Sequence, residues 1–281
     1  MMTIEAAQAI LEDRNVVAVG ARGDEERQRR HGLKTTFARV FEVHADAIPS
    51  SLPASASAGE IRIVGQPASA DALVAAVTQA RGLAGAIPMT GFSLSELLAL
   101  AGGTPAGLKA LAARLAAAGL YAVSETPLDR LPSAADAIRA VRDGGLQVLR
   151  LTVSESDDSS RLQLAALARD VQSAVGGIRA FAPLPRVTSI AQPTTGYDDV
   201  RQIAVARLFV DNIDSIQVDW QLYGPKLAQV ALTMGADDID AVSALEGDLG
   251  RRRSPLEEIR GNIAAAGLEP VERDGSWSPK A

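Results

Sequence analysis

From residue 60 onward the chain alternates short runs rich in β-branched residues with Ala/Leu-rich segments of helical period. That alternation is the pattern of repeated βα units around a parallel sheet, open and doubly wound or closed into a barrel. The strand candidates are EIRIVGQ (60–66), GAIPMTG (85–91), LYAVSET (120–126), LQVLRLTVSE (146–155), IRAFAPLP (178–185) and SIQVDWQL (215–222). An earlier run, KTTFARVFEV (34–43), and a last one around DDIDAVS (237–243) bring the number to eight. Helical segments lie between them at 107–119, 133–145, 160–177 and 197–212, and several end in Gly, as a left-handed C-terminal turn requires. Eight strands in 281 residues, close to the ~250 typical of the class, predict an α/β fold of the closed (βα)8 TIM-barrel type.

The expected organisation is a single domain over 1–281, with an N-terminal helical extension (1–33), the barrel (34–243) and a C-terminal helix and tail (244–281). SPLEEIRGNIAAAG (254–267) has Ser254 as N-cap, Pro255 at the first helical position and Glu257 two residues on. GFSLSELLAL (91–100) is predicted as an N-capped amphipathic helix. The Pro- and Ser-rich segment IPSSLPASASAG (48–59) follows the first strand, so it is expected as a loop at the catalytic, C-terminal face.

A net charge of −6 argues against nucleic acid or an anionic membrane as partner. Aromatic residues make up 4%, too few for a base-stacking surface. The basic cluster Arg27, Arg29, Arg30 and His31 follows Asp24, Glu25 and Glu26, and so reads as a solvated mixed-charge helix. No stretch approaches the roughly 20 apolar residues of a membrane span. With no signal peptide in MMTIEAAQAILEDRN, the expected location is the cytoplasm. The absence of Cys removes thiolate nucleophiles, disulfides and thiolate metal sites, and two His make a histidine metal centre improbable.

Barrel chemistry gathers at the C-terminal ends of strands. The candidates there are Thr90, Glu125, Glu155, Arg186, Trp220, Gln221, Tyr223, Asp237 and Asp238. Glu125 and Glu155 end consecutive strands and form a candidate acid–base pair, against a plainer role as exposed loop acids. Trp220 is placed either as a stacking wall for a ligand ring or as core. Asp237 and Asp238 are candidates for a ribose or an amine, and Asp is also common after a helix-ending Gly. GxGxxG, a Walker loop and a Gly-x-Ser-x-Gly elbow are absent.

The stretch TTGYDDVRQIAVARLFVDNIDSIQVDWQLYGPKLAQVALTMGADDIDAV (194–242), with SPLEEIRGNIAAAGLEPVERDGSW (254–277), resembles the C-terminal half of the radical S-adenosylmethionine enzymes of futalosine-dependent menaquinone biosynthesis and their deazaflavin-forming relatives. GPKLAQ (224–229), GADDID (235–240) and PVERDG (270–275) carry the likeness, and PVERDG is expected to be a packing element. In that family a C-x3-C-x2-C loop after the first strand holds a four-iron, four-sulfur cluster that binds S-adenosylmethionine. The gapless equivalents here are Pro49, Pro53 and Ala56, which cannot bind iron. The family's glycine-rich loop after the fourth strand is replaced by SETPLDRLP (124–132), and its Tyr/Phe-Gly-His segment by SESDDS (154–159).

The resemblance therefore implies a degenerate member with no cluster cofactor. One expectation is a pseudoenzyme that binds a pathway metabolite or supports an active menaquinone-pathway enzyme. The alternative is a repurposed acid–base or lyase enzyme acting on a small carboxylate or nucleoside. Under the binding expectation, Trp220, Gln221, Tyr223 and Asp237 line a cavity at the mouth; an open mouth favours ligand binding, whereas a mouth plugged by neighbouring loops, with 48–59 as the natural plug, favours the partner role.

Overall fold

The computed structural model describes residues 2–157, 160–187, 196–246 and 255–280. Two N-terminal helices, α1 (Ile4–Glu12) and α2 (Val16–His31), start at Thr3 and Asn15, whose side chains accept from the backbone N–H three residues on. The barrel strands are β1 (Lys34–His44), β2 (Glu60–Val64), β3 (Met89–Ser93), β4 (Ala122–Glu125), β5 (Arg150–Val153), β6 (Ala180–Pro185), β7 (Ser215–Asp219) and β8 (Asp238–Ser243). The helices among them are α3 (Ala70–Ala84), α4 (Leu94–Leu100), α5 (Pro105–Ala118), α6 (Ala134–Asp143), α7 (Arg161–Val175), α8 (Gly196–Phe209) and α9 (Trp220–Leu232). A 3₁₀ turn spans Leu128–Arg130, and α10 (Pro255–Ala265) and β9 (Glu269–Arg273) close the chain.

All strand pairings are parallel, in the order β4-β3-β2-β1-β8-β7-β6-β5. The two ends of that order meet through parallel bridges at Ala122–Gln147 and Pro127–Thr152. The chain is thus the expected eight-stranded barrel, with its last seam held by isolated bridges. No helix among the described residues is long and apolar enough to cross a membrane.

Several boundaries differ from expectation. The third strand begins at Met89, so Gly91, Phe92 and Ser93 are strand and α4 starts only at Leu94. The seventh strand ends at Asp219, because its carboxylate accepts from Leu222 N at 3.0 Å and caps α9 there. Helix α9 is broken after one turn, where Gly224 takes φ 73° ahead of Pro225. The helix expected at 254–267 is present as α10, and its proposed cap Ser254 lies outside the described residues.

The basic cluster on α2 is not a solvated face. Arg27 is fully buried, bonded to Asp24 at 2.9 Å and to the Gly32 carbonyl at 3.2 Å. Arg30 donates to the Ile213 carbonyl at 3.1 Å, and His31 lies 3.1 Å from the Asp214 carbonyl. Glu26 pairs with both Arg29 and Arg30, and of the two Arg29 is the exposed one. The helix docks closely because Gly23 has no side chain: a Cβ there would lie 2.3 Å from the Met234 carbonyl oxygen.

The tail motif PVERDG forms a ninth strand. β9 pairs with Lys34–Ala38 of β1, the half of β1 that precedes the start of β2 opposite Val40. This register delivers Arg273 into the barrel, where Nε and Nη2 donate to the two oxygens of Asp238 at 2.6 and 2.7 Å. From there a polar network fills the lumen. Gln217 donates to Asp238 at 2.7 Å and accepts from Arg150 at 3.3 Å; Arg150 also pairs with Asp240. Arg62 bridges Asp240 at 2.9 Å and Glu60 at 2.8 Å, and Thr90 donates to Glu60 at 2.5 Å.

Arg62, Arg150 and Arg273 thus balance Glu60, Asp238 and Asp240, and all six are buried. Burial opposes the charge on Asp240, but Arg150 and Arg62 hold its pKa well below the usual carboxylate value. Removing one member of such a network leaves a buried charge uncompensated, so Arg273→Ala should cost about 3–5 kcal/mol in chemical denaturation at neutral pH. A carboxylate depressed in the folded state stabilises above its unfolded pKa and ceases to do so as pH falls. Wild-type stability should therefore drop below about pH 4, with a flatter acid limb in Asp240→Asn.

Candidate functional site at the barrel mouth

Above the charged layer, the C-terminal ends of β3 to β6 frame a cleft of about 480 Å³. Its lining includes Ser93, Glu96, Glu125, Thr152, Ser154 and Arg186. All but Glu96, which lies in the first turn of α4, reach the cleft from a strand end or the turn just beyond it, which in a parallel barrel is where loops diverge and side chains converge. The loops after β4 and β5 are stitched together by Asp129, whose carboxylate accepts from Ser154 N at 2.7 Å and Glu155 N at 3.0 Å. Phe92, at the end of β3, has φ 63°, a left-handed conformation unusual for an aromatic residue and one that tends to occur beside functional sites.

Arg186 is the centre of the cleft. Its Nε donates to Glu125 Oε2 at 3.2 Å and its Nη1 to Asp219 Oδ2 at 2.7 Å. Burial disfavours its charge, but Glu125 and Asp219 more than compensate and the pKa is raised. The third nitrogen, Nη2, is buried and has no hydrogen-bond partner among the described residues. A buried unmet donor is uncommon and costs roughly 1–3 kcal/mol when left so.

Among the sequence candidates, Glu125 and Arg186 line the cleft. Glu155 is exposed and paired with Arg130 at 2.5 Å, so the two glutamates are held by different guanidinium groups and are not assembled as an acid–base pair. Thr90 lies deeper, on Glu60. Asp237 and Asp238 are at the opposite, N-terminal end of the barrel: Asp237 accepts from Ile216 N at 2.8 Å and pairs with Arg207, and Asp238 is held by Arg273. Trp220 is 4% exposed and part of the hydrophobic core. Gln221 is exposed on the first turn of α9. Tyr223 donates to the Pro185 carbonyl at 2.6 Å, and burial raises its pKa. Among the described residues, none of Trp220, Gln221, Tyr223 and Asp237 lines this cleft, and Asp237 lies at the other end of the barrel.

Sequence reasoning missed Asp219, Glu96 and Glu42. Asp219 was legible as an acid directly ahead of a helix, the usual N-cap position. Glu42 sits at the rim on β1, opposite Arg62; although the residue is exposed overall, desolvation raises its carboxyl pKa, with Asp219 and Asp240 adding to the effect against Arg62.

Residues 150–280 match the family model described as the CofH/MqnC C-terminal region. Over that stretch, a little under half of the chain, the protein is similar to this family. Aminodeoxyfutalosine synthase from Thermus thermophilus is 37% identical over a stretch covering 39% of this chain and 33% of its own length. Cyclic dehypoxanthine futalosine synthase from Streptomyces coelicolor is 34% identical, with 41% and 31% covered. The matched stretch thus spans about a third of each of these relatives. Among solved structures, HydG, a maturase of the FeFe-hydrogenase, superposes with a TM-score of 0.66 over 96% of this chain and 72% of its own, at 13% identity, a likeness of fold alone.

The chain is a cysteine-free relative of the futalosine-pathway radical enzymes. The family's iron–sulfur cluster does not fit the residues present. Pro49, Pro53 and Ala56 offer no metal-binding side-chain atom, and Ala56 is engaged through its backbone in an antiparallel bridge to Leu245. The segment is anchored at both ends by contacts outside the cleft. Gln79 donates to the Ile48 carbonyl at 3.2 Å, Arg39 to Ser57 Oγ at 2.7 Å, and Gly59 N to the Arg39 carbonyl at 2.8 Å. Arg39 is an odd number of residues from the lumen-facing Thr36, so this path follows the outer face of β1. No residue of 48–59 lines the cleft, which corrects the expected plug.

Because Trp220 is core, Trp220→Ala should destabilise the fold by about 3–5 kcal/mol in denaturant titration, with no selective loss at the cleft.

Proposed function

We propose that this protein is a cluster-less barrel of futalosine-dependent menaquinone biosynthesis that works as a binding pseudoenzyme, holding a small pathway metabolite in the mouth cleft. The observation that carries the proposal is the open polar cleft at the mouth of a retained scaffold, with Glu125 and Arg186 in its lining. The family relationship supports the pathway assignment, and the missing thiolates remove the radical-generating part of the relatives' equipment. The repurposed acid–base enzyme is the weaker alternative, because Glu125 and Glu155 are each tied to an arginine.

Two measurements on the purified chain test this. Anaerobic reconstitution with iron and sulfide should give no cluster absorbance and no deoxyadenosine from S-adenosylmethionine; stoichiometric cluster with deoxyadenosine overturns the proposal. A thermal-shift screen of futalosine-pathway nucleosides and carboxylates should find a stabilising ligand. At ~100 times its dissociation constant the ligand contributes about 2.7 kcal/mol, and the effect should vanish in Arg186→Met. If none of these metabolites stabilises the protein but an active radical enzyme of the pathway does, it serves that enzyme and not a metabolite.

A further inference from the structure

The ring of strands is not closed equally on all sides. Among the described residues β4 and β5 share only isolated bridges, whereas each has a regular ladder on its other side, β4 with β3 and β5 with β6. At the bottom of this seam Gln147 N donates to the Tyr121 carbonyl at 2.9 Å and Val123 N to the Gln147 carbonyl at 3.1 Å. Near the top Thr152 N donates to the Thr126 carbonyl at 2.9 Å. Between those levels a side chain stands in for backbone: Arg150 Nε donates to the Ser124 carbonyl at 2.5 Å, and its Nη1 reaches across the lumen to Gln217 at 3.3 Å.

The upper end depends on side chains as well. Thr126 N donates to the Thr152 hydroxyl at 3.1 Å, and the buried Thr126 hydroxyl has no partner among the described residues. Beyond them the Asp129 carboxylate, 15% exposed, receives Ser154 N on one oxygen and Glu155 N on the other. The Arg130–Glu155 pair nearby is exposed on both partners and contributes little. The charge-assisted bonds of Asp129 are thus the firm tie between the two strand ends.

The seam runs into the mouth cleft. Glu125, Pro127 and Arg130 line the cleft from one side of it, Thr152 and Ser154 from the other. Parting β4 from β5 would widen the cleft and leave the ladders on either side intact. We propose that the barrel opens along the β4–β5 seam from the mouth downward, and that Asp129 is the latch that holds the seam, and with it the cleft, closed. The device needs no ligand, so it stands or falls apart from the reading of the cleft as a metabolite site. An occupant touching both lips would favour the closed form by its differential affinity for it.

Amide hydrogen exchange of the full chain, followed residue by residue by NMR, tests this. Val123, Thr126 and Thr152 at the seam are as buried as Ile61 and Ala244, whose N–H groups donate to the Pro88 and Val40 carbonyls. Burial alone therefore predicts equal protection at seam and ladder, and local opening predicts a difference. In the wild type, Thr126 and Thr152 should exchange about tenfold or more faster than Ile61 and Ala244 after correction for intrinsic rates, with Val123 in between. Asp129→Asn keeps the shape but turns one acceptor into a donor. It should accelerate Thr126 and Thr152 roughly threefold or more beyond any change at Ile61 and Ala244. The wild-type comparison involves no variant, so it decides the opening even if Asp129→Asn fails to fold. Equal protection at seam and ladder in the wild type means that the seam parts only on global unfolding, and overturns the proposal. A folded Asp129→Asn protein in which seam and ladder amides accelerate by the same factor overturns it too, because Asp129 is then no latch.

Discussion

The bidentate pair between Arg273 and Asp238 ties the two ends of the fold together. Asp238 opens the last barrel strand, and Arg273 comes from a tail strand that pairs with the first half of β1. Without the guanidinium, Asp238 would be a charge with no exposed surface, facing only a threonine hydroxyl and a glutamine amide. With it, the charges of the lumen cancel in sequence from Arg273 through Asp238, Asp240, Arg150 and Arg62 to Glu60. Trp277 covers the assembly from the tail, with Arg273 3.7 Å above its ring.

That filled lumen sets the depth of everything above it. A barrel packed along its axis with apolar layers would leave the mouth as a dent, whereas charged layers need partners and continue until each is satisfied. Here the network ends below Arg186, whose two acids belong to β4 and β7 and not to the lower layer. The cleft above it is therefore polar, lined by Glu125 and Arg186. The loops that would otherwise fall into it are held back by Asp129, through two backbone amides of the β5 loop. The crossover from β1 to β2 has no helix, and it avoids the mouth because Arg39 and the β8 extension hold it to the outer wall.

Part of the site was legible in the sequence. Arg186 and Glu125 were placed correctly at strand ends because IRAFAPLPR and YAVSE have clear termini, and a charged residue there has nowhere else to point. Of the two readings of Trp220, the structure takes core over ligand wall, and Asp237 was misplaced because strand ends were judged from composition. SIQVDWQL has no internal break, so nothing short of the Asp219 cap reveals that Trp220 begins a helix and turns into the core. In GADDID the first two acids, Asp237 and Asp238, stand at the start of the strand and lie at the barrel's opposite end.

By itself, the sequence determined the barrel, since repeated βα units and helix-ending glycines leave little alternative, and it determined that no thiolate cluster can be held. It did not determine which way the charged strand residues face. EIRIV, LRLTV and DIDAV alternate polar with apolar residues, a pattern that in isolation signals a solvated face. Closure of the sheet reverses the meaning: the apolar set must meet the surrounding helices, so Arg62, Arg150 and Asp240 are forced into the lumen, where only partners from distant strands can neutralise them. The pairing of Arg186 with residues 61 positions before and 33 after it depends on the same closure, because those strand ends are brought together only when the ring is complete.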